Sequence, residues 1–147
     1  MNKPGIYPVY KRSAAAQFAL ILPTHNEKGW LERQGAVLIE AAVAVGTNAN
    51  ENIEYGWGNK ITFSLGPNDL NSLFENPDKP LIHQWKGSTK SVRFQPGSGK
   101  YEGTWMMHVN EKTDTGTENK ISVPVGAGEW HSLNVLLRAA LPKMLGW

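Results

Sequence analysis

Residues Asn59–Leu73 read NKITFSLGPNDLNSL, and sixty positions later residues Asn119–Leu133 read NKISVPVGAGEWHSL. The two stretches share Asn-Lys-Ile at the start, a central Gly, and Ser-Leu at the end. Phe63 is answered by Val123, Leu65 by Val125, Asp69 by Glu129 and Leu70 by Trp130. In each copy alternate apolar residues (Ile61, Phe63, Leu65; Ile121, Val123, Val125) describe a strand buried on one side. The glycine then stops the strand and an acidic residue follows. Leu70, Leu73 and Phe74, or Trp130, Leu133 and Leu137, recur at helical spacing. The chain therefore reads as two halves, each ending strand–glycine–helix. Two copies at this separation do not make a solenoid, so the pattern points to duplication inside one domain.

The rest of the composition narrows the class. The 147 residues are 40% hydrophobic and 10% aromatic, which suits a chain able to bury a core. Six tryptophans are more than one core of this size usually needs, so some are available for another purpose. A net charge of +2 does not by itself call for nucleic acid. With no cysteine there is neither a disulfide frame nor a thiolate ligand. The start, MNKPGIYPVYKR, has no apolar run of signal-peptide length, and the longest such run, Gly35–Gly46, is interrupted by Glu40 and too short to span a bilayer. The expectation is a cytoplasmic protein with no membrane partner.

In chain order, residues 1–9 carry Pro4, Gly5 and Pro8 and read as an arm. Ala14–Leu22 alternates as a strand, His25–Gly29 reads as a turn, and Trp30–Val45 as a long strand rich in Val and Ile. Ile53–Leu65 reads as a hairpin around Gly56–Asn59, and Pro67 opens a helix that ends by Asn76-Pro77. In the second half Leu81–Lys86 and Lys90–Phe94 flank a Gly87-Ser88 turn. Lys100–Val109 puts Tyr101, Trp105, Met107 and Val109 on one face, Ile121–Val125 is the eighth strand, and Glu129–Leu141 is the longest helix, stopped or kinked by Pro142. About eight strands and two helices, ordered ββββα twice, make an α+β fold with a mostly antiparallel sheet.

Motifs for catalysis are lacking. His25, His83, His108 and His131 have no ligand spacing, and no nucleophile elbow, Walker loop or dinucleotide fingerprint occurs. Gly97-Ser98-Gly99-Lys100 lies between strands, with no helix start behind it to receive a phosphate. The expectation is a protein that is not an enzyme, with no cofactor and no metal. What the sequence does offer is aromatics interleaved with cations on strands. Tyr10-Lys11-Arg12 opens the first strand; Tyr55, Trp57 and Lys60 cluster near Gly56; Trp85-Lys86 precedes Lys90 and Arg93; Lys100, Tyr101 and Trp105 follow. Exposed rings on a sheet stack on bases, and neighbouring cations follow phosphates. Bases offer their faces only when unpaired, so the pattern points to single strands.

Four segments in order resemble the Whirly family. Tyr10-Lys11-Arg12-Ser13-Ala14-Ala15-Ala16 is similar to its K-G-K-A-A-L segment, with Arg12-Ser13 standing in place of Gly-Lys. Glu54-Tyr55-Gly56-Trp57-Gly58-Asn59-Lys60, then Phe63-Ser64-Leu65, is similar to Y-D-W-x-x-K-x-x-F-S-L, with Gly56 in place of Asp. Ile121–Pro124 with Glu129, and the ending Leu141-Pro142 with Leu145-Gly146-Trp147, resemble I-x-x-P, the acidic helix start and P-x-L-L-G-W. The resemblance runs from about residue 7 to 147 and implies one Whirly-like domain with halves near 10–76 and 77–147. It implies two antiparallel four-stranded sheets, packed roughly perpendicular and braced by C-terminal helices. It also implies a homotetramer joined through its helices that binds single-stranded DNA with little sequence preference.

Carried over, the resemblance places Lys11 and Arg12 at phosphate or assembly contacts, and Tyr55 and Trp57 at or near the stacking surface; Tyr10 and Lys60 join them from the ring-and-cation pattern. The strand-face reading adds Trp85, Lys90, Arg93, Tyr101 and Trp105. The apolar stripe Trp130, Leu133, Leu137 and Leu141 is assigned to oligomer contacts. The absence of a plant-type transit peptide suggests a prokaryotic or phage relative, nucleoid-associated and serving replication, repair, recombination or transcription. An RNA-binding or annealing protein on the same fold is the nearest alternative, and a carbohydrate-binding module the next.

Overall fold

In the computed structural model, which describes residues 4–147, the chain begins with strand β1 (Ile6–Tyr10) paired antiparallel to β2 (Ala14–Ile21). The arm expected at residues 1–9 is thus corrected from Ile6 onward; residues 1–3 lie outside the described residues. Pro8 misled the reading. It sits on an edge strand, where a missing N–H breaks no central ladder, and the next residue, Val9, is buried in the core.

A small hairpin follows, β3 (Thr24–His25) and β4 (Leu31–Arg33), before the long strand β5 (Ala36–Thr47). The single strand expected over Trp30–Val45 is therefore broken, at Gly35. Its N–H donates to the Met144 carbonyl at 2.8 Å, and a Cβ there would collide with the Ile21 carbonyl oxygen. Only glycine admits so close an approach of the end of β2, with the C-terminal helix on hand as well.

β6 (Ile53–Tyr55) and β7 (Ile61–Leu65) both pair antiparallel with β5. They are not the two arms of a hairpin, as expected, but one edge position interrupted by a single 3₁₀ turn, Trp57–Asn59. The Gly56 N–H still reaches the Val43 carbonyl at 2.8 Å, so the ladder to β5 holds until the chain lifts off. The first sheet has the order β1–β2–β5, with β6 and β7 sharing the place beyond.

Helix α1 (Pro67–Glu75) then leads to a second sheet: β8 (Leu81–Trp85), β9 (Ser88–Pro96), β10 (Trp105–Thr113) and β11 (Glu118–Val125), in the order β11–β10–β9–β8. The β8–β9 turn is Lys86-Gly87, one residue earlier than expected, with φ of 37° and 82°. Two positive φ values match the primed turns that suit twisted hairpins. Helix α2 (Ala127–Met144) closes the chain. Pro142 lies inside its last turn and does not end it, because a proline there removes only one intrahelical donor.

Both glycines of the repeated stretch are helix N-caps. Having no side chain, each leaves the cap to the acid three residues on: the Gly66 N–H donates to Asp69 Oδ2 at 2.8 Å, and the Gly126 N–H to Glu129 Oε1 at 2.9 Å. An anion in a first helical turn adds about 0.3–1 kcal/mol from the dipole. One buried cluster draws on both sheets and both helices, from Phe18, Ile39 and Phe63 through Phe94 and Val109 to Leu70, Leu133 and Met144. Each large apolar side chain sealed there contributes about 1.5–3 kcal/mol. The observed class is α+β with antiparallel sheets and two helices.

Candidate nucleic-acid interface

Residues directly paired across antiparallel strands put their side chains on one face. Tyr10 pairs with Ala15, Ala15 with Ala42, and Ala44 with Tyr55, so these residues share the face of the first sheet that points away from the core. Ala15 and Ala42 are buried yet stand outside the core cluster, unlike their neighbours Ala14, Ala16 and Ala41. Small side chains across the middle of this face leave room for rings. Tyr10 and Tyr55 stack there with centroids 5.7 Å apart and planes at 26°. Trp57, held out on the 3₁₀ turn, stands 6.1 Å from Tyr55.

The row is anchored. The Tyr55 hydroxyl donates to the Lys11 carbonyl at 2.5 Å, and Gln17 Nε2 donates to the Tyr10 hydroxyl at 2.7 Å. Tyr10 remains 52% exposed. Tyr10, Arg12, Asn52 and Tyr55 help to line an open cleft of about 580 Å³. A base needs a fixed, half-open ring face, and this row supplies it.

Two further exposed rings flank the second sheet. Trp85 ends β8 at the hairpin tip, 73% exposed, with Lys86 Nζ 5.3 Å from its ring centroid. Tyr101 lies in the 3₁₀ turn before β10, 59% exposed, with Lys100 Nζ at 5.1 Å. Two contacts tie the second sheet and α2 to the first sheet. On one side Lys90 donates to the Thr62 hydroxyl at 3.2 Å, and its neighbour Glu111 takes the Ser88 hydroxyl, opposite Trp85. On the other, Lys11 reaches Glu129 at 2.5 Å, and the next residue, Trp130, stacks on Trp105 near the loop bearing Tyr101.

Trp105 itself is a correction. It shares the strand face of Met107 and Val109, and that face is the core: its indole packs 4.3 Å from Trp130 and against the buried cluster. Strict alternation on a strand with one buried face decides this, so Trp105 is half-buried against the core and not displayed on the outer face.

The cations divide as well. Lys11 is paired with Glu129, Lys60 with Glu40, Lys90 with Glu111 and Arg93 with Asp78. Among the described residues, Arg12, Lys86 and Lys100 have no carboxylate partner at salt-bridge distance. The ring-and-cation pattern of the sequence includes Lys86 and Lys100, but nothing local prefers them to Lys60 or Lys90, whose carboxylates come from other strands. His108, on the outer face of the second sheet, lies between Ser122 Oγ at 2.8 Å and Gln95 Oε1 at 2.9 Å. Partial burial, and then the nearby Arg93, hold its imidazole below the ordinary histidine range. Among the described residues no three His, Asp or Glu side chains converge as metal ligands, and no helix is long and apolar enough to cross a membrane.

The Whirly transcription factor family matches residues 9–136. The chain belongs to the Whirly family. Solved Whirly structures share the fold. WHY1 from Arabidopsis thaliana superposes with a TM-score of 0.83 at 19% identity, covering 100% of this chain and 88% of that one. WHY3 from the same plant gives 0.82 at 19%, covering 100% and 92%. The plant transcriptional regulator PBF-2 gives 0.81 at 21%, covering 100% and 85%. No curated protein sequence matches the chain. These solved neighbours are plant proteins, so the expected prokaryotic or phage origin gains no support.

Within this Whirly fold the stripe expected to join subunits is corrected in part. Leu133 and Leu137 are buried in the chain's own core, and Trp130 and Leu141 pack against it. The helical period explains the error: the stripe that the sequence displays is the one that faces inward. The large apolar residues that α2 exposes are Val135 and Leu136, and Leu136, with Leu133 and Leu137 behind it, lines a groove of about 840 Å³ together with Ile6 and Leu20.

Proposed function

We propose that this Whirly protein holds and protects single-stranded DNA, with little regard to sequence, by stacking bases on exposed rings and neutralising phosphates with neighbouring cations. The observation that carries this is the stacked pair Tyr10–Tyr55 on the outward face of the first sheet, with Trp57 tilted beside it on the 3₁₀ turn and Arg12 nearby. Trp85 and Tyr101 extend the surface. Stacking is indifferent to base identity because every base has a π-face. The chemistry is passive: bound strands are kept from reannealing and from nucleases, as replication, recombination or repair requires.

The fold is read as one domain of two ββββα copies, residues 10–76 and 77–147, with two four-stranded sheets set roughly perpendicular. The repeated glycine cap and its acid support that reading. Four copies of the chain, joined over Val135, Leu136 and the groove beside them, assemble the binding unit. Several subunits on one strand supply avidity that a net charge of +2 per chain cannot.

The test is tryptophan fluorescence on titration with a dT oligomer against the matching duplex, with light scattering for subunit count. Single strands quench and duplex does not. Trp57→Ala loses about 5–150-fold in affinity, the equivalent of one stacked base at about 1–3 kcal/mol. Equal response to duplex, or unchanged affinity in Trp57→Ala, removes the reading. An RNA oligomer of the same sequence, added as competitor, separates DNA from RNA preference.

A further inference from the structure

We infer that phosphate contacts fall on Arg12, Lys86 and Lys100, and that Lys11, Lys60, Lys90 and Arg93 build the frame instead of touching nucleic acid. The inference rests on the single-strand-binding reading and deepens it. Each cation of the first group is exposed, lacks a carboxylate partner among the described residues, and lies beside an exposed ring: Tyr10, Trp85 or Tyr101. Two of the three rings carry the ammonium directly over their face. Each station thus pairs an exposed ring with a positive charge that no carboxylate neutralises.

The second group is committed. Arg93 Nη1 lies 2.8 Å from Asp78 Oδ1, Lys90 Nζ lies 3.6 Å from Glu111 and 3.2 Å from Thr62 Oγ1, and Lys60 holds Glu40 across the edge of the first sheet. Lys11 is the most constrained of them: Nζ is on Glu129, while its carbonyl accepts from Tyr55. A neutralised pair releases no counterion when a phosphate approaches, and its carboxylate repels that phosphate. Turning such a cation outward would also strand the acid. Lys11 is therefore a positioning residue. It ties the stacked Tyr55 to the first turn of α2.

Salt dependence reads this directly, because each true phosphate contact on a single strand adds about 0.7 to the slope of log K against log salt concentration. In the full chain with a dT oligomer, the triple variant Arg12→Met, Lys86→Met, Lys100→Met should lower the slope by about 2 for each subunit on the strand and keep the wild-type melting temperature. The triple Lys11→Met, Lys60→Met, Lys90→Met should keep the wild-type slope and melt lower; should it fail to fold, the single Lys60→Met and Lys90→Met variants make the same comparison. A slope carried by the second set, or unmoved by the first, overturns the assignment alone. Wild-type protein that ignores the oligomer overturns the single-strand reading, and the assignment with it.

Discussion

The two strand–glycine–helix joints have the same cap and different closures. At Gly66 the acid Asp69 receives His83 of the second half, whose ring stacks 4.2 Å from Phe63 and whose Nε2 lies 3.1 Å from both carboxylate oxygens. At Gly126 the acid Glu129 receives Lys11 of the first half at 2.5 Å, beside the stacked Trp105–Trp130 pair. Each acid caps its own helix and is also tied to the other half of the chain. The difference lies in where the tie leads. His83 leads into an apolar stack. Lys11 leads, through its carbonyl, to Tyr55 and the exposed ring row. One joint is scaffold only, while the other holds the candidate interface in register with α2.

The largest effect should come from the core beneath the first joint. Phe63→Ala removes a fully buried ring and should lower unfolding free energy by about 3–5 kcal/mol in chemical denaturation. Its counterpart Val123→Ala, with fewer buried atoms to lose, should cost less, and equal losses would deny that the two copies are packed so differently.

Next come the acids themselves. Asp69→Asn and Glu129→Gln should each cost about 1.5–3 kcal/mol, the range for a hydrogen bond to a charged group. Only Glu129→Gln should also weaken binding of a dT oligomer, since it alone frees Lys11 and Tyr55. If both variants bind alike, the coupling of the second joint to the surface is wrong.

The smallest effect belongs to the outer faces, rings on one sheet and a polar row on the other. His108 in that row has its folded-state pKa depressed, by burial and then by Arg93. The unfolded chain therefore binds the proton more readily, and stability falls as pH drops below the ordinary histidine value of about 6.5 toward the folded one. His108→Gln should flatten thermal stability between about pH 7 and pH 5 relative to wild type. A pH profile identical to that of wild type would refute the contribution.

Local pattern was enough for some of this. The alternation of Ile61, Phe63 and Leu65, the glycine and the acid after it act within one turn or strand, so the sequence alone determined both joints and the α+β class. The supply of rings and cations, and the family's ordered segments, were legible in the same way. Partnership was not. Trp85 and Trp105 look alike along the chain, but one ends a strand at a free tip and the other shares the buried face of Met107. Lys11 and Arg12 are adjacent, and only the folded chain brings Glu129 to the first and leaves the second open. Burial and ion pairing depend on atoms from distant segments meeting at contact distance, and no spacing along a single strand encodes which charge will be neutralised.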